Sequence, residues 1–463
     1  MTLDRRRFVQ GVGAAALMAG TSLGAAARPT RHPNIVFIMA DDLGYADLGC
    51  TGSHHIQTPA IDSLAAQGVR LTQGYANAPI CSPSRTALLT GCYQDRFPVG
   101  LEEPIGPDAP PGIGLPKDRP TLASVFRDLG YRTTLIGKWH LGDPPQQGPL
   151  QHGYDAFFGV VEGAADYFRH HMVVGGQDVG MGLTRGNTPI TASGYLTDLF
   201  GDEAVRTIER SGDAPFLISL HFTSPHWPWE GREDAALAKQ IPSSFDYGGG
   251  SLKTYAEMVE AMDQNVAKVL DALARAGKAE DTIVVFTSDN GGERYSETWP
   301  FVGQKGELLE GGIRVPVLAR WPGHIAAGSV SDQTMMSMDY LPTLLTMACG
   351  DAPHAGTFDG LDLTAQLAGK APLLTRALYW RYKANDQAAL RDGDWKYLRL
   401  GGKEHLFNLA EDQHERADHA DSDRPRLIAM RRQWDAWNAT MLPYPLGSFS
   451  EDVRDHYPDR YAD

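Results

Sequence analysis

Four short apolar runs stand out along the chain, and each gives way abruptly to polar residues. Ile35–Ile38 leads into Asp41 and Asp42, and Thr133–Ile136 into Lys138, Trp139 and His140. Phe216–Leu220 leads into the stretch His221 to His226, and Ile283–Phe286 into Asp289 and Asn290. Apolar runs without alternation are the pattern of strands buried on both faces. Helical spacing fills the intervals. Ile61, Leu64 and Ala65 share one face behind a Thr58 N-cap and a Pro59 first turn, with Gly68 as the stop. Leu122, Val125, Phe126 and Leu129 repeat in the same way up to Gly130, and Tyr255, Val259, Met262, Val266, Val269 and Leu273 up to Gly277. Strands alternating with helices predict an α/β fold, a large doubly wound, mostly parallel sheet with helices on both faces. Ligands of such sheets sit at the carboxyl ends of the strands. All four runs end in Asp, Asn, Lys or His, so they are expected to converge on one site.

The pattern changes near residue 374. Ala377–Lys383, Gln387–Arg391 and Trp395–Leu400 are short strand-like runs, and Asp392-Gly393-Asp394 is a hairpin turn signal. Leu427, Met430, Trp434 and Trp437 then fall on one helical face, a stripe better suited to a core than to a cofactor. The expectation is a smaller antiparallel sheet with one packed helix. The division is therefore 28–373 for the main α/β domain and 374–463 for a C-terminal subdomain.

Composition narrows the classes. The chain has 463 residues, 42% hydrophobic and 21% charged, which suits one large domain or two unequal ones and excludes a disordered or collagenous chain. A net charge of −15 argues against a nucleic-acid binder, though not against an anionic substrate held by a local field. The first 27 residues stand apart. Arg5-Arg6-Arg7-Phe8 precedes a short Ala- and Gly-rich stretch and then Ala25-Ala26-Ala27, the layout of a cleavable export signal, with the paired arginines resembling a twin-arginine signal. That predicts a periplasmic or otherwise exported protein, delivered by the twin-arginine machinery. No later stretch is long and apolar enough for stable membrane insertion.

Two features carry chemistry. Asp41-Asp42 and Asp289-Asn290 are adjacent pairs of oxygen donors at equivalent strand ends. Such a set suits a hard cation such as Ca²⁺ or Mg²⁺ rather than zinc, and three carboxylates at one point are expected to need that cation. Asx-turns or helix N-caps are the other common use of such pairs. The run Cys81-Ser82-Pro83-Ser84-Arg85-Thr86-Ala87-Leu88-Leu89-Thr90-Gly91 predicts a short helix with Cys81 at its N-terminus and Arg85 one turn on. Free N–H groups, the helix dipole and the guanidinium would favour an anion there, and a thiolate nucleophile would be allowed.

That run resembles the sulfatase motif C-x-P-x-R-x-x-x-L-T-G. Similar landmarks follow in order: Ala40-Asp41-Asp42-Leu43-Gly44, Gly137-Lys138-Trp139-His140-Leu141-Gly142, Gly153 to Gly159, Ser224-Pro225-His226, Ser288-Asp289-Asn290-Gly291-Gly292, Lys305-Gly306, and Glu310 to Pro316. The resemblance spans Asn34 to about Pro342 and implies a formylglycine-dependent, arylsulfatase-like sulfuric ester hydrolase of the alkaline-phosphatase-like superfamily. It implies that a maturation enzyme oxidises Cys81 to Cα-formylglycine. It implies a calcium ion, rather than magnesium, held by Asp41, Asp42, Asp289, Asn290 and the modified residue 81. It further implies that Arg85 and Lys138 hold the hydrated aldehyde, with His140 as its hydrogen-bond partner. His226 and Lys305 would grip the sulfate and protonate the leaving oxygen. The resemblance also implies a further hydroxyl or amide ligand near Gly163 to Asp166, a role left unassigned to any residue. Cys50, Cys92 and Cys349 remain, enough for at most one disulfide.

Two other activities share parts of this pattern. A phosphate or phosphonate ester hydrolase of the same superfamily would use the same clamp, usually with Ser or Thr as nucleophile. A non-catalytic sulfate-ester binding protein would leave Cys81 unmodified. The expected substrate is a sulfated carbohydrate. Trp227 and Trp229 could stack on a pyranose or could simply anchor their loop, and Asp166, Tyr167, Arg169, His170 and His171 would add polar groups to the rim.

Overall fold

The computed structural model describes residues 32–106, 109, 112–244, 249–350 and 357–445. The export-signal reading of residues 1–27 lies outside the described residues. The main sheet is built from β1 (Asn34–Ala40), β2 (Val69–Tyr75), β3 (Arg132–Lys138) and β4 (Ala156–Val160). After a separate hairpin of β5 (Met172–Val174) and β6 (Gln177–Val179), it continues with β7 (Leu183–Arg185), β8 (Thr188–Pro189), β9 (Phe216–His221), β10 (Thr282–Ser288), β11 (Val317–Arg320) and β12 (Ser329–Met336). The order across its ten strands is β12-β2-β11-β10-β1-β9-β3-β4-β7-β8. The four strands expected from the apolar runs are β1, β3, β9 and β10, and they lie side by side in the middle as β10-β1-β9-β3, all parallel. Their polar ends are level: Ala40 pairs with Ser288, and both Met39 and Gly137 pair with His221. Only β11 and β7 run antiparallel to both of their neighbours in the sheet.

Alternate residues of the central strands feed two cores. Val36, Ile38, Ile218, Leu220, Val284 and Phe286 face the helices Leu196–Glu209 and Leu252–Arg275. Ile35, Phe37, Leu217, Ile283 and Val285 face the helices Leu122–Asp128 and Tyr340–Cys349. Both faces of each strand are dry, which is why the sequence runs apolar without a break. The predicted helix after Thr58 forms as Pro59–Gln67, but Thr58 does not cap it. Its hydroxyl accepts from the Gly49 N–H and donates to Asp62 Oδ1 instead. All four cysteines are free thiols.

The tail forms β13 (Ala377–Tyr382), β14 (Gln387–Asp392), β15 (Trp395–Leu400) and β16 (Lys403–Asn408), an antiparallel sheet in that order. β16 was not expected; its run, Lys403 to Asn408, opens with Lys, Glu and His, and only Leu406 and Phe407 are fully buried. One face of this sheet packs Ala388, Leu390, Tyr397 and Leu406 against Leu427, Met430 and Trp434 of the helix Arg424–Asn438, so the tryptophan stripe is core as expected. The other face packs Leu378, Trp380, Ala389 and Leu398 against a cluster that includes Tyr75, Ile80, Cys81 and Ile313. The small sheet therefore backs directly onto the Cys81 helix.

Lys396 of β15 is buried between Glu310 (2.9 Å) and Glu415 (2.8 Å). Replacing it by Met leaves Glu415 buried without its cation, while Glu310 keeps Arg314 at 2.7 Å. Lys396→Met is expected to lower stability by about 3–5 kcal/mol, read from the urea midpoint against wild type.

Candidate active site

Cys81 opens the helix Cys81–Thr90, which Gly91 ends in the left-handed conformation (φ +65°), the cap a β-carbon would strain. The strand ends bring the remaining expected residues to it. Ligand atoms of Asp41, Asp42, Cys81 and His226 all lie within 4.8 Å of one another. Asp289 joins through its Oδ1, which accepts the Asp42 N–H (3.2 Å), and Asn290 Nδ2 donates to Asp42 Oδ1 (2.8 Å). Lys138 Nζ sits 2.6 Å from Asp41 Oδ2, and Lys305 Nζ sits 2.6 Å from Asp42 Oδ2. Arg85 grips Asp289 Oδ2 through Nε (3.0 Å) and Nη2 (2.8 Å), reaches Asp41 Oδ1 at 3.5 Å, and donates through Nη1 to the Lys138 carbonyl (3.1 Å). All ten residues expected at the site are thus buried in or beside one cluster.

Charge within the cluster is balanced, because Asp41, Asp42 and Asp289 are met by Arg85, Lys138 and Lys305. A metal ion would thus join three cations already in contact with the carboxylates, and the donor set fits a hard cation. Asp41 Oδ1 and Asn290 Oδ1 are buried and have no hydrogen-bond partner, and carboxylate and amide oxygens are the ligands such an ion takes.

Ionisation follows the same geography. Burial and the neighbouring Asp289 carboxylate push Asp41 well above the usual range, against the pull of Lys138 and Arg85. Asp289 is also pushed up by burial, but Arg85 and Lys138 outweigh it and hold the carboxyl low. Burial pushes the Cys81 thiol up to about 11, more than Lys138 and Lys305 pull it down. Burial thus overrides the expected anion-favouring environment, and an unmodified Cys81 is a poor nucleophile.

Both expected histidines are held neutral, His140 by burial and Lys138, His226 by burial, Lys305 and Lys138. Each is oriented by a backbone carbonyl, which can only accept. His140 Nε2 therefore donates to Ile105 (2.9 Å), leaving Nδ1 as an acceptor with no partner. His226 Nδ1 donates to Trp227 (2.7 Å), and its Nε2 faces Asp42 Oδ2 at 3.5 Å. Asp42 and His140 occupy the left-handed region at φ +63° and +58°, a strained backbone for residues with side chains.

The rim differs from expectation. Trp227 and Trp229 are 6% and 3% exposed and belong to the core, Trp229 packing edge-on to Tyr295 with centroids 4.9 Å apart. They are loop anchors and not stacking platforms. Asp166, Tyr167 and His170 are buried as well, and Asp166 Oδ1 accepts from the Phe168 and Arg169 N–H groups without joining the cluster. Two residues outside the expected set bear on the site. Glu293, three positions after Asn290, has Oε2 at 3.9 Å from Lys305 Nζ. Gln387 of β14 accepts from the Leu308 N–H (2.8 Å) and donates to the Gly306 carbonyl (2.9 Å), tying down the segment that carries Lys305. Glu293 follows a recognisable motif and could have been suspected; Gln387 lies in a distant strand with no local signal.

Residues 33–350 match the Sulfatase family model, and residues 303–431 match the model described as N-sulphoglucosamine sulphohydrolase, C-terminal. The chain is 34% identical to N-acetylgalactosamine-6-sulfatase of Mus musculus over 400 residues, covering 82% of this chain and 74% of that protein. It is 34% identical to steryl-sulfatase of Mus musculus over 423 residues, covering 74% of this chain and 66% of that protein. The solved structure of Ps i-CgsB in complex with k-i-k-neocarrahexaose superposes with a TM-score of 0.80 at 30% identity, over 93% of this chain and 99% of that one.

Gly163 packs on the His140 ring, where an added β-carbon would lie 2.5 Å from Cε1 and 2.6 Å from Nε2. Gly163→Ala is expected to displace His140 and lower kcat on the order of 10–100-fold while the far-UV circular dichroism stays that of wild type.

Proposed function

The chain belongs to the sulfatase family and is a sulfuric ester hydrolase, and on that premise we propose that it acts through Cα-formylglycine made from Cys81, with one bound calcium ion, on sulfated carbohydrates. The observation that carries this reading is the meeting of Cys81, at a helix N-terminus, with three carboxylates, three cations and two orphaned oxygens. Asp41, Asp42, Asp289 and Asn290 would hold the ion, with an oxygen of the modified residue 81. When bound, it supplies two positive charges that draw in a sulfate monoester and stabilise charge on its oxygens.

The side chains divide the remaining work. Arg85 fixes Asp289 and Asp41, and with Lys138 it stabilises one hydroxyl of the hydrated residue 81 as that hydroxyl ionises and attacks sulfur in line. Lys138 and Lys305 face the equatorial sulfate oxygens. The proton that the attacking hydroxyl loses passes to Nε2 of His226, where the dianionic transition state favours it, and from Nε2 to the departing alcohol. His140 Nδ1 then takes the proton of the second hydroxyl. The bond from residue 81 to the sulfate oxygen breaks, sulfate leaves, and the aldehyde returns.

The substrate class is supported by Ps i-CgsB, solved with a bound saccharide and alike over nearly the whole of both chains. Export rests on Arg5-Arg6, the Ala25-Ala26-Ala27 site and the fit between a pathway for folded cargo and maturation before folding. Residues 28–373 and 374–463 are the two parts of the exported protein, the second bracing the first.

Two measurements test the proposal. The Cys81 peptide of matured enzyme is expected to be lighter than its cysteine form by the mass of H₂S less one oxygen atom, and Cys81→Ala is expected to be folded and without turnover. On matured enzyme, kcat/KM for N-acetylgalactosamine 6-sulfate or neocarrahexaose is expected to exceed that for 4-nitrophenyl sulfate. Substantial activity in Cys81→Ala would overturn the nucleophile. Inert saccharides beside a fast aryl sulfate would overturn the carbohydrate assignment alone.

A further inference from the structure

Glu293 has no part in the hydrolysis derived above, yet it is built into the site. Its Oε2 lies 3.9 Å from Lys305 Nζ and has no hydrogen-bond partner. Lys305 itself is committed to Asp42 at 2.6 Å, so the longer contact does not hold it. The Trp227 side chain, directly after His226, meets the carboxyl as a hydrogen-bond donor, so the open acceptor capacity is that of Oε2. A carboxyl oxygen buried without a partner is costly unless something else meets it.

Position and charge limit what that partner can be. Glu293 is 9% exposed, against 2% for Cys81 and Lys305, 3% for His226 and 4% for His140, so it is the most exposed of these groups. It lies beside Lys305, the group placed at the sulfate, and beside the Trp227 side chain that follows His226, the group placed at the departing oxygen. A carboxyl oxygen repels sulfate oxygens, so what it meets is on the alcohol side. An aromatic ring carrying only the ester oxygen offers it nothing. A sugar ring that carries the ester oxygen also carries hydroxyls, and these are donors. The surrounding charges leave the group able to accept: burial and Asp42 push its pKa up, Lys305 and Arg294 pull it down, and it settles at about 7. Arg294 turns away over the Trp229 and Tyr295 rings, at 5.6 and 6.0 Å.

We propose that Glu293 determines specificity by accepting a hydrogen bond from a sugar hydroxyl of the leaving alcohol. It thereby selects sulfated polyols, saccharides above all, over simple aryl sulfates. The inference rests on the carbohydrate reading of the same site.

The test compares wild type, Glu293→Gln and Glu293→Ala on two probes, 4-nitrophenyl sulfate and whichever of N-acetylgalactosamine 6-sulfate or neocarrahexaose wild type turns over faster. The ratio of kcat/KM for saccharide to that for aryl sulfate is expected to fall on the order of 100-fold in Glu293→Ala, because a site built for a hydroxyl loses its discrimination with its acceptor. Glu293→Gln keeps an acceptor oxygen and the shape of the side chain, so it is expected to restore most of the ratio. Equal losses on both probes would mean that Glu293 only supports Lys305, and would overturn the inference. An unchanged ratio in Glu293→Ala would overturn it too. Wild type inert on both saccharides overturns the carbohydrate reading and this inference with it.

Discussion

Three carboxylates buried side by side at the ends of parallel strands constrain everything around them. Removing such groups from water costs several kcal/mol each unless the interior supplies opposite charge at contact distance. Here the supply is one cation per carboxylate: Arg85 on Asp289, Lys138 on Asp41 and Lys305 on Asp42. The three cations come from a helix, a strand end and a loop far apart in sequence, so the cluster can exist only when the whole fold is assembled. A divalent ion added to a balanced cluster leaves it with an excess of positive charge. That excess is what an anionic ester needs, and it explains how an acidic protein of net charge −15 can work on anions.

The C-terminal sheet belongs to this constraint. Gln387 holds the Gly306 carbonyl, while the Gly306 N–H donates to Pro79 (2.8 Å), two residues before Cys81. One residue thus couples the nucleophile loop to the Lys305 loop, with the small sheet as its backing. Lys396, between Glu310 and Glu415, fixes the next turn of the same segment. Lys305 is exact in position because a second sheet, some eighty residues on, anchors the backbone beside it.

Much of this was legible in the sequence, for physical reasons that vary by element. β1, β3, β9 and β10 were visible because strands dry on both faces carry unbroken apolar runs. β12 was not, because it sits at the sheet edge and reads Ser-Val-Ser-Asp-Gln-Thr, with its outer half exposed. β2 was missed for a related reason, since its Arg70, Thr72 and Gln73 are only half-buried. The oxygen donors Asp41, Asp42, Asp289 and Asn290 were legible because they follow buried strands; the roles of Cys81, Arg85, Lys138, His140, His226 and Lys305 were legible through the resemblance of their motifs. Their pairing was not. Nothing local says that Arg85 turns from Cys81 to Asp289, that Asp42 and His140 adopt left-handed backbone, or that Trp227 and Trp229 point inward. Those outcomes are settled by long-range packing, where a tryptophan gains more from burial than from the rim.

The central proposal is that this cluster, its carboxylates already paired with cations, takes up one calcium ion and so gains the positive charge that an anionic ester needs. The most direct measurement is the metal content of purified, matured enzyme in its active form, taken together with that of Asp41→Ala. The account predicts one calcium per chain in the wild type and neither calcium nor activity in the variant. Zinc bound through Cys81 and His226, or full activity in metal-free protein, would contradict it.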